Sequence, residues 1–196
     1  VTGAAGGAPT AGVASLDSSL VQQTKSEIRT LAAEIAELAH SGVAVDEFFD
    51  GFLPRICVAM GASASAVWSL KDRHLELDAS HQLPDVLHEQ DEEGGSRRPS
   101  ESHLAILNCA IADGQPVLVP PKSVTVEVDR PTNPLQESLV IVPVRVEDEI
   151  EYVVEIVQKS SGGPAAQRGY LRFVAQMADL LADYFRSQRL REFTEQ

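Results

Sequence analysis

The amino-acid sequence predicts an α+β fold in which helices from both ends of the chain pack on one sheet. Near each end, apolar residues recur at three- and four-residue steps, the periodicity of a helix with a buried face. Between these regions, apolar and polar residues alternate in short runs bounded by turn residues, which is typical of half-buried strands. The run Ser138 to Val146 is almost continuously apolar and predicts a central strand covered on both faces.

The first part of the chain predicts a leader followed by two helices. Residues 1–22 are rich in Gly, Ala, Ser, Thr and Pro, and we expect a flexible leader because this composition buries little apolar surface. A helical stripe follows over 24–39. Asp46 caps a second helix that ends at Gly61, and Pro54 inside that helix predicts a kink.

The middle of the chain predicts a hairpin, a loop region and a third helix. Residues 64–70 and 74–81 alternate around a polar turn, as expected for a β-hairpin. Residues 84–101 predict a mobile excursion, and Ser102 caps a helix that runs through Asp113. Alternation in the second hairpin strand places Leu75, Leu77 and Ala79 on one face, and periodicity in the helix turns Leu104, Leu107 and Ile111 inward.

The last third predicts three strands and a long closing helix. A short strand over 115–119 is followed by a loop over 122–136 whose structure the sequence leaves open, and then by strands over 138–146 and 150–159. Pro143 cannot donate to a ladder and predicts a bulge or an edge. The closing helix begins at Pro164.

The closing helix carries two apolar stripes. The first stripe predicts contact with the sheet and comprises Leu171, Val174, Ala178, Leu181 and Phe185. The second comprises Phe173, Met177, Leu180 and Tyr184. Because a helix that serves only its own core usually needs one stripe, the second predicts a homodimer, with deeper burial in a single core as the alternative. The predicted dimer-interface residues are Ile28, Ile35, Phe173, Met177, Leu180 and Tyr184.

Composition excludes several classes of function. The net charge of −13 argues against partners that carry phosphates, both nucleic acids and anionic membrane surfaces. No apolar run approaches the roughly 20 residues that span a bilayer. Cys57 and Cys109 lie in apolar helical patterns and predict buried free thiols, which favours a reducing compartment and a cytoplasmic location.

No metal site or catalytic constellation is predicted. The histidines at 40, 74, 81, 88 and 103 match no ligand spacing, even with Glu89 and Asp91 beside one of them. The sequence has no G-x-S-x-G elbow and no phosphate-binding glycine loop. We therefore expect neither a metal nor a cofactor, and no enzymatic activity.

Four segments resemble the GAF domain, a ligand-sensing module. They are VDEFFDGFLPRICVAMGASASAVWSL (45–70), LVIVPV (139–144), VVEIVQK (153–159) and FVAQMADLLADYF (173–185). The resemblance covers 23–188 and leaves 189–196 as a helical extension; the related PAS domain is the alternative. It implies a six-stranded antiparallel sheet, with terminal helices on one face and a pocket on the other, roofed by the 102–113 helix.

The resemblance also implies where a ligand would bind. Glu155 matches a glutamate that can touch the ligand in cyclic-nucleotide-binding relatives, and strand alternation turns it away from the terminal helices. The N-K-x-F-D-E motif of those relatives is absent, as are the Cys-His pair that anchors bilins and the cysteine set of free methionine sulfoxide reductases. The predicted pocket residues are Trp68, Ser80, His81, Leu104, Leu107, Asn108 and Glu155.

Two functions follow from this resemblance. The first is a non-enzymatic regulatory domain that senses an unknown small molecule, dimerises through its terminal helices and signals to an attached effector. Such domains occur within larger bacterial signalling and membrane-fusion proteins. The second is a scaffolding module with a pocket filled by its own side chains. A thiol redox enzyme using Cys109 is a distant third.

Overall fold

The chain folds around a five-stranded antiparallel sheet. The computed structural model describes residues 11–90, 94–122, 131–159 and 162–194, with side chains from Ser19 on. The elements in chain order are α1 (Ala11–Ser41), α2 (Val45–Met60), β1 (Ala64–Lys71), β2 (His74–His81), β3 (His88–Gln90), β4 (Arg97–Pro99), α3 (Glu101–Asp113), β5 (Val117–Val119), β6 (Ser138–Val146), β7 (Glu149–Gln158) and α4 (Pro164–Thr194). A short 3-10 turn, Asp85–Leu87, precedes β3.

The strand order in the main sheet is β2-β1-β7-β6-β5, with β2 and β5 at the edges. β3 and β4 form a separate two-stranded ribbon. The predicted α+β fold is confirmed, but the six strands implied by the resemblance are five in the main sheet. Among the described residues, no helix is both long enough and apolar enough to cross a bilayer.

α1, α2 and α4 pack on one face of the sheet and form the helix-side core. Aromatic contacts cross between the helices: Phe48 stacks on Tyr184 with ring centroids 4.0 Å apart and planes tilted by 8°. The buried members of the helix-side core are Ile35, Ala39, Phe48, Phe49, Phe52, Leu53, Ile56, Met60, Val67, Val140, Val142, Val144, Val146, Val154, Ile156, Val174, Met177, Ala178, Leu181, Ala182 and Tyr184.

α3 and the 3-10 turn cover the opposite face and form the α3-side core. This face receives the alternate residues of the same strands, because successive side chains of a strand point to opposite sides. The buried apolar members of the α3-side core are Ala64, Ala66, Trp68, Leu75, Leu87, Ile106, Leu107, Ala110, Leu139, Ile141, Val153 and Val157.

α4 is also tied to the connection between α1 and α2. The hydroxyl of Tyr184 and the side-chain amide of Gln188 each donate to the carbonyl oxygen of Val43 at 2.8 Å. Further along α4, the Arg189 guanidinium pairs with Glu151 of β7. The last turns of α4 therefore contact both the first helical connection and the sheet.

The leader prediction is wrong for residues 11–22, because α1 begins at Ala11. Ala, Ser and Gln are acceptable helix formers, so the polar composition of this stretch did not prevent a helix. Residues 1–10 lie outside the described residues. The predicted helical character of the 189–196 extension is confirmed as far as Thr194, where α4 ends.

A β-bulge corrects the predicted face of the second hairpin strand. Val67 pairs with Ala79 and Trp68 pairs with Leu77, so Asp78 is an extra residue in β2. One extra residue inverts the alternation beyond it. Leu77 consequently packs on the α3-side core while Ala79 packs on the helix-side core.

Pro143 lies where β6 has a neighbouring strand on one side only. It pairs in regular register with Val153 of β7, but β5 pairs only with residues 139–141 of β6, so Pro143 is on a local edge, one of the two predicted alternatives. The register shift of the β6–β7 ladder falls beyond it, between Val144 and Arg145, and its extra residue is Glu151 of β7. Pro54 lies inside α2, which continues to Met60.

The region predicted as a mobile excursion contains the 3-10 turn, β3 and β4, with residues 91–93 outside the described residues. The helix after it begins at Glu101 rather than after a Ser102 cap. Its buried face is His103, Ile106, Leu107 and Ala110, so the predicted inward position of Leu104 is wrong. Of the loop predicted over 122–136, residues 123–130 are not described.

The sheet-facing stripe of α4 is confirmed, since Val174, Ala178 and Leu181 are buried in the helix-side core. The second stripe is only partly available to another chain. Met177 and Tyr184 are buried within this chain, and so is the predicted interface residue Ile35 of α1. The three packed helices surround these side chains, so they are corrected from interface to core. Ile28, Phe173 and Leu180 remain half-buried.

Candidate functional site

Three polar side chains meet inside the α3-side core. Trp68 of β1, His103 of α3 and Glu155 of β7 each have 0% of their surface exposed. Trp68 and Glu155 lie on the same sheet face because β1 and β7 are adjacent, with Ala66 opposite Glu155 and Trp68 opposite Val153. His103 approaches them from the first turn of α3.

The Glu155 carboxylate is the centre of this cluster. The indole Nε1 of Trp68 donates to Oε2 of Glu155 at 2.8 Å, and Nε2 of His103 donates to the same oxygen at 3.0 Å. Nε2 also lies 2.9 Å from Oε1. The rings of Trp68 and His103 are 5.7 Å apart between centroids. We call these three residues the Glu155 cluster.

The hydrogen bonding of the Glu155 cluster is incomplete. One N–H can align with one oxygen, so Oε1 of Glu155 has no hydrogen bond of its own, and Nδ1 of His103 has no partner within the described part of the chain. Buried polar atoms are nearly always paired, because an unpaired one costs about 1–3 kcal/mol. The cluster therefore carries unused capacity for a polar group.

The cluster lies among apolar side chains of the α3-side core. Leu107 is fully buried one helical turn after His103, and Ile141 of β6, which pairs with Glu155 in the β6–β7 ladder, is fully buried in the same core. In such a low-dielectric setting, hydrogen bonds to a carboxylate are stronger than in water, and unpaired atoms are more costly.

The structure brings together three of the predicted pocket residues: Trp68, Leu107 and Glu155. Ser80, Leu104 and Asn108 are exposed. His81 is half-buried and lies opposite Ser65, a residue of the helix-side face. Plain alternation along β2 would place His81 on the α3 side, but the extra residue Asp78 moves it to the helix side. The structure therefore places none of these four residues in the Glu155 cluster.

His103 is the site residue that the sequence prediction missed. A helix phase with Leu104, Leu107 and Ile111 inward, as the sequence predicts, points His103 outward. The alternative phase, with His103, Ile106, Leu107 and Ala110 inward, has an equally regular three- and four-residue spacing. Because histidine is polar, apolar periodicity alone does not select the helix phase that buries it.

The two cysteines lie in different layers. The Cys57 thiol of α2 donates to the Ser65 hydroxyl at 3.3 Å, and burial raises the pKa of this thiol above its ordinary value. Cys109 of α3 is exposed, so the prediction that it is buried is wrong. The sheet lies between the two helices, and a thiol on each side cannot resolve the other while the fold is intact.

A shallow groove of about 370 Å³ lies on the surface between α1 and α2. Its apolar wall comes from Ile28 and Leu31 of α1 and Val58 of α2, and the rest of its lining is mostly hydroxyl-bearing residues of α1. Within the described ranges, no group of three or more His, Cys, Asp or Glu residues could hold a metal ion.

Comparison by sequence finds no matching family model and no matching curated protein. Comparison by structure finds close agreement with GAF domains. The nlh2 GAF domain of A. aeolicus, in an inactive state, superimposes with a TM-score of 0.64 at 15% identity, covering 84% of this chain and 99% of that one.

Two other solved structures with this fold are an enzyme and a domain of a signalling protein. The free methionine-R-sulfoxide reductase of Neisseria meningitidis, in complex with its substrate, has a TM-score of 0.61 at 15% identity, covering 84% of this chain and 91% of that one. The GAF domain of a two-component sensor histidine kinase from Bacillus halodurans has a TM-score of 0.54 at 16% identity, covering 76% and 98%. The chain therefore has the GAF fold that its sequence predicts.

Proposed function

We propose that this chain is a non-enzymatic regulatory domain that senses a small molecule at the Glu155 cluster. The observation that carries the proposal is a fully buried carboxylate whose second oxygen, with the nearby His103 Nδ1, has no hydrogen-bond partner among the described residues. A module that only holds chains together gains nothing from this arrangement, since an apolar core of the same shape is as stable or more stable. A buried polar group without a partner in a folded protein needs an explanation, and a ligand that pairs with it provides one.

The structural neighbours support a sensing role in a general way. One is a GAF domain of a sensor histidine kinase and another holds its substrate, so the fold serves signalling proteins and accommodates small molecules. For this chain we propose a signalling role in the cytoplasm, exerted on an attached effector. The free, exposed thiol of Cys109 suits a reducing compartment.

A scaffolding role is the second candidate, and one observation favours it. Trp68, His103 and Glu155 expose no surface, so the place where a ligand would bind is filled by the chain's own side chains. Under this alternative, the Glu155 cluster fixes α3 on the sheet and never opens.

A ligand screen separates the two functions. We expect some small molecule to raise the melting temperature of the wild-type protein and to change the fluorescence of Trp68, the chain's one tryptophan, which lies in the site. The same compound should have a much smaller effect on Glu155→Gln, which removes the charge while retaining the shape. Asn108→Ala, an exposed change on the same helix, is the matched control and should respond as wild type does. If no compound acts on the wild type, scaffolding is favoured.

The absence of enzymatic activity is part of the proposal. The most plausible chemistry, thiol redox catalysis, would need Cys109 to exchange with a second thiol. Cys57 is buried in α2, on the other side of the sheet. Mild peroxide should therefore oxidise Cys109 without forming an internal disulfide, and thiol counting after denaturation should recover Cys57 as a free thiol.

We also propose that two copies associate through α1. Leu20 and Val21 of α1 are 62% and 51% exposed, and the groove formed by Ile28, Leu31 and Val58 continues the apolar surface. Sedimentation velocity should show a dimer that Val21→Glu dissociates while far-UV circular dichroism is retained. Val86→Glu is the matched control, because Val86 is also 51% exposed but lies in the 3-10 turn on the other side of the sheet.

A further inference from the structure

The first turn of α3 holds the only polar contact between its buried face and the sheet among the described residues. The other inward residues of the helix, Ile106, Leu107 and Ala110, are apolar, and their contacts are non-directional. His103 is the exception, since its Nε2 lies within 3.0 Å of both oxygens of Glu155. The position of α3 on the sheet is therefore specified by one side chain.

His103 is an imperfect partner for Glu155. A single N–H faces two oxygens, so Oε1 is left without a hydrogen bond, while Nδ1 on the far side of the ring is buried with nothing to bind. A group with several N–H donors on one centre or on one edge would satisfy both oxygens. An ammonium has three donors, and an amidinium or guanidinium matches a carboxylate with two parallel hydrogen bonds.

We infer that the imidazole of His103 is a built-in occupant of the position of a ligand nitrogen, and that the site takes a small cationic nitrogen compound in its place. The ligand's amine, amidine or imidazolium group would bind Glu155 directly, beside the Trp68 indole, and His103 would swing out with the first turn of α3. This inference rests on the proposed sensing function and names its ligand class.

The charge at the site explains the choice of class. Glu155 lies at the centre of the cluster, and its two neighbours there, Trp68 and His103, each direct an N–H group at its carboxylate. An anionic ligand would meet a carboxylate across a low-dielectric interior, where repulsion is strong. A cation of imidazole size would be attracted by the charge of Glu155 and could use several N–H donors, whereas His103 contacts Glu155 through one N–H only.

Displacement of His103 would be transmitted to the cover of the site. The backbone N–H of Ser100, just before α3, donates to the carbonyl of Leu87 at 3.0 Å, and its hydroxyl donates to the carbonyl of Val86 at 2.9 Å. The first turn of α3 and the 3-10 turn are thus joined. A ligand that replaces His103 should shift both together, and this is the change that a regulatory domain could pass on.

The experiment removes the occupant and supplies its chemistry from solution. His103→Ala leaves a space of imidazole size beside Glu155 and Trp68. We expect imidazole and methylammonium to bind this variant saturably, to raise its melting temperature and to change Trp68 fluorescence. Their affinity for wild type should be lower by at least about tenfold, because the open form is a minor state there.

Three controls give the result its meaning. Leu107→Ala opens an apolar space on the same helix face and should not respond to imidazole. The double variant His103→Ala/Glu155→Gln should lose most of the response. Acetate, an anion of similar size, should have no effect on His103→Ala. Equal stabilisation by acetate, or an equal response in Leu107→Ala, would overturn the inference.

A variant that does not fold still gives a decision. If His103→Ala is unfolded, refolding in the presence of imidazole but not acetate supports the inference, and refolding with neither overturns it. His103→Ser, which keeps a hydroxyl, provides the same titration on a smaller truncation. The outcome differs from that of the ligand screen: an anionic compound that stabilises wild type independently of His103 would retain sensing and reject cation binding.

Discussion

The two faces of the sheet are built on different rules. On the helix-side core, Tyr184 donates to Val43 and Ser65 donates to the carbonyl of Leu53. The buried side-chain atom left without a partner there, among the described residues, is the neutral amide oxygen Oε1 of Gln158, whose Nε2 donates to the carbonyl of Met60. On the α3 side, the Glu155 cluster retains a carboxylate oxygen and an imidazole nitrogen without partners. The two faces therefore differ in what they leave unpaired: a neutral amide oxygen on the helix side, and a carboxylate oxygen with the imidazole nitrogen of the same cluster on the α3 side.

The helix-side core should respond to truncation as an ordinary core does. Phe48 is fully buried and stacks on both Tyr184 and Phe52. Phe48→Ala should lower the free energy of unfolding by about 3–5 kcal/mol, the usual cost of a large aromatic cavity. Urea denaturation followed by circular dichroism measures this loss. A loss below about 1 kcal/mol would show that the layer is not closely packed.

The α3 side should show a loss that a second substitution recovers. His103→Leu leaves the buried Glu155 carboxylate with only the indole N–H of Trp68, and should cost about 3 kcal/mol because an uncompensated charge remains. Adding Glu155→Gln removes that charge and should restore most of the stability. Simple additivity of the two changes in a double-mutant cycle would contradict the coupling.

The loss of stability at high pH should depend on Tyr152, which packs at the edge of the helix-side core. Burial, followed by the nearby charges of Asp78 and Glu151, raises the pKa of Tyr152 from 10.0 to about 12, with Arg189 acting in the opposite direction. Because the folded pKa is raised, the contribution to stability is complete below pH 10 and is lost as the pH rises toward 12. Tyr152→Phe should flatten this decline in urea melts across that range.

The two thiols should differ in accessibility without any change in stability. Cys109 is exposed and should react with a thiol reagent at once, whereas Cys57 is buried and its raised pKa further reduces its thiolate fraction. We expect one rapid equivalent in the native protein and two after denaturation. Cys109→Ser should abolish the rapid phase, and two rapid equivalents in the native wild type would contradict the burial of Cys57.

The order of the elements and most strand boundaries could be predicted from the sequence because periodicity reports directly on burial. The β6 strand is the clearest case, since its apolar run from Ser138 to Val146 matches the observed bounds. The sheet-facing stripe of α4 and the inward direction of Glu155 follow from the same reasoning. These features depend on local residue patterns, which are visible directly in the sequence.

The remaining features depend on information that local patterns lack. The bulge at Asp78 changes the sheet face on which Ala79 and His81 lie. The alternation of residues along β2 does not reveal one extra residue, so this change could not be predicted from the sequence. Two phases of α3 were equally regular, and only the partner Glu155 makes burial of His103 favourable. The burial of Met177 and Tyr184 depends on helices that the pattern of α4 does not reveal: α1 packs against α4, and Phe48 of α2 stacks on Tyr184.

The bulge in β2 also changes the exposed edge of the main sheet. β2 is an edge strand, and an edge strand offers unpaired backbone groups to any passing strand. Here the edge is interrupted by an extra residue and carries the charges of Glu76 and Asp78, which lie 3.6 and 3.8 Å from the ammonium of Lys71 in the neighbouring β1. A bulge and charged side chains of this kind make an edge a poor template for the addition of another strand.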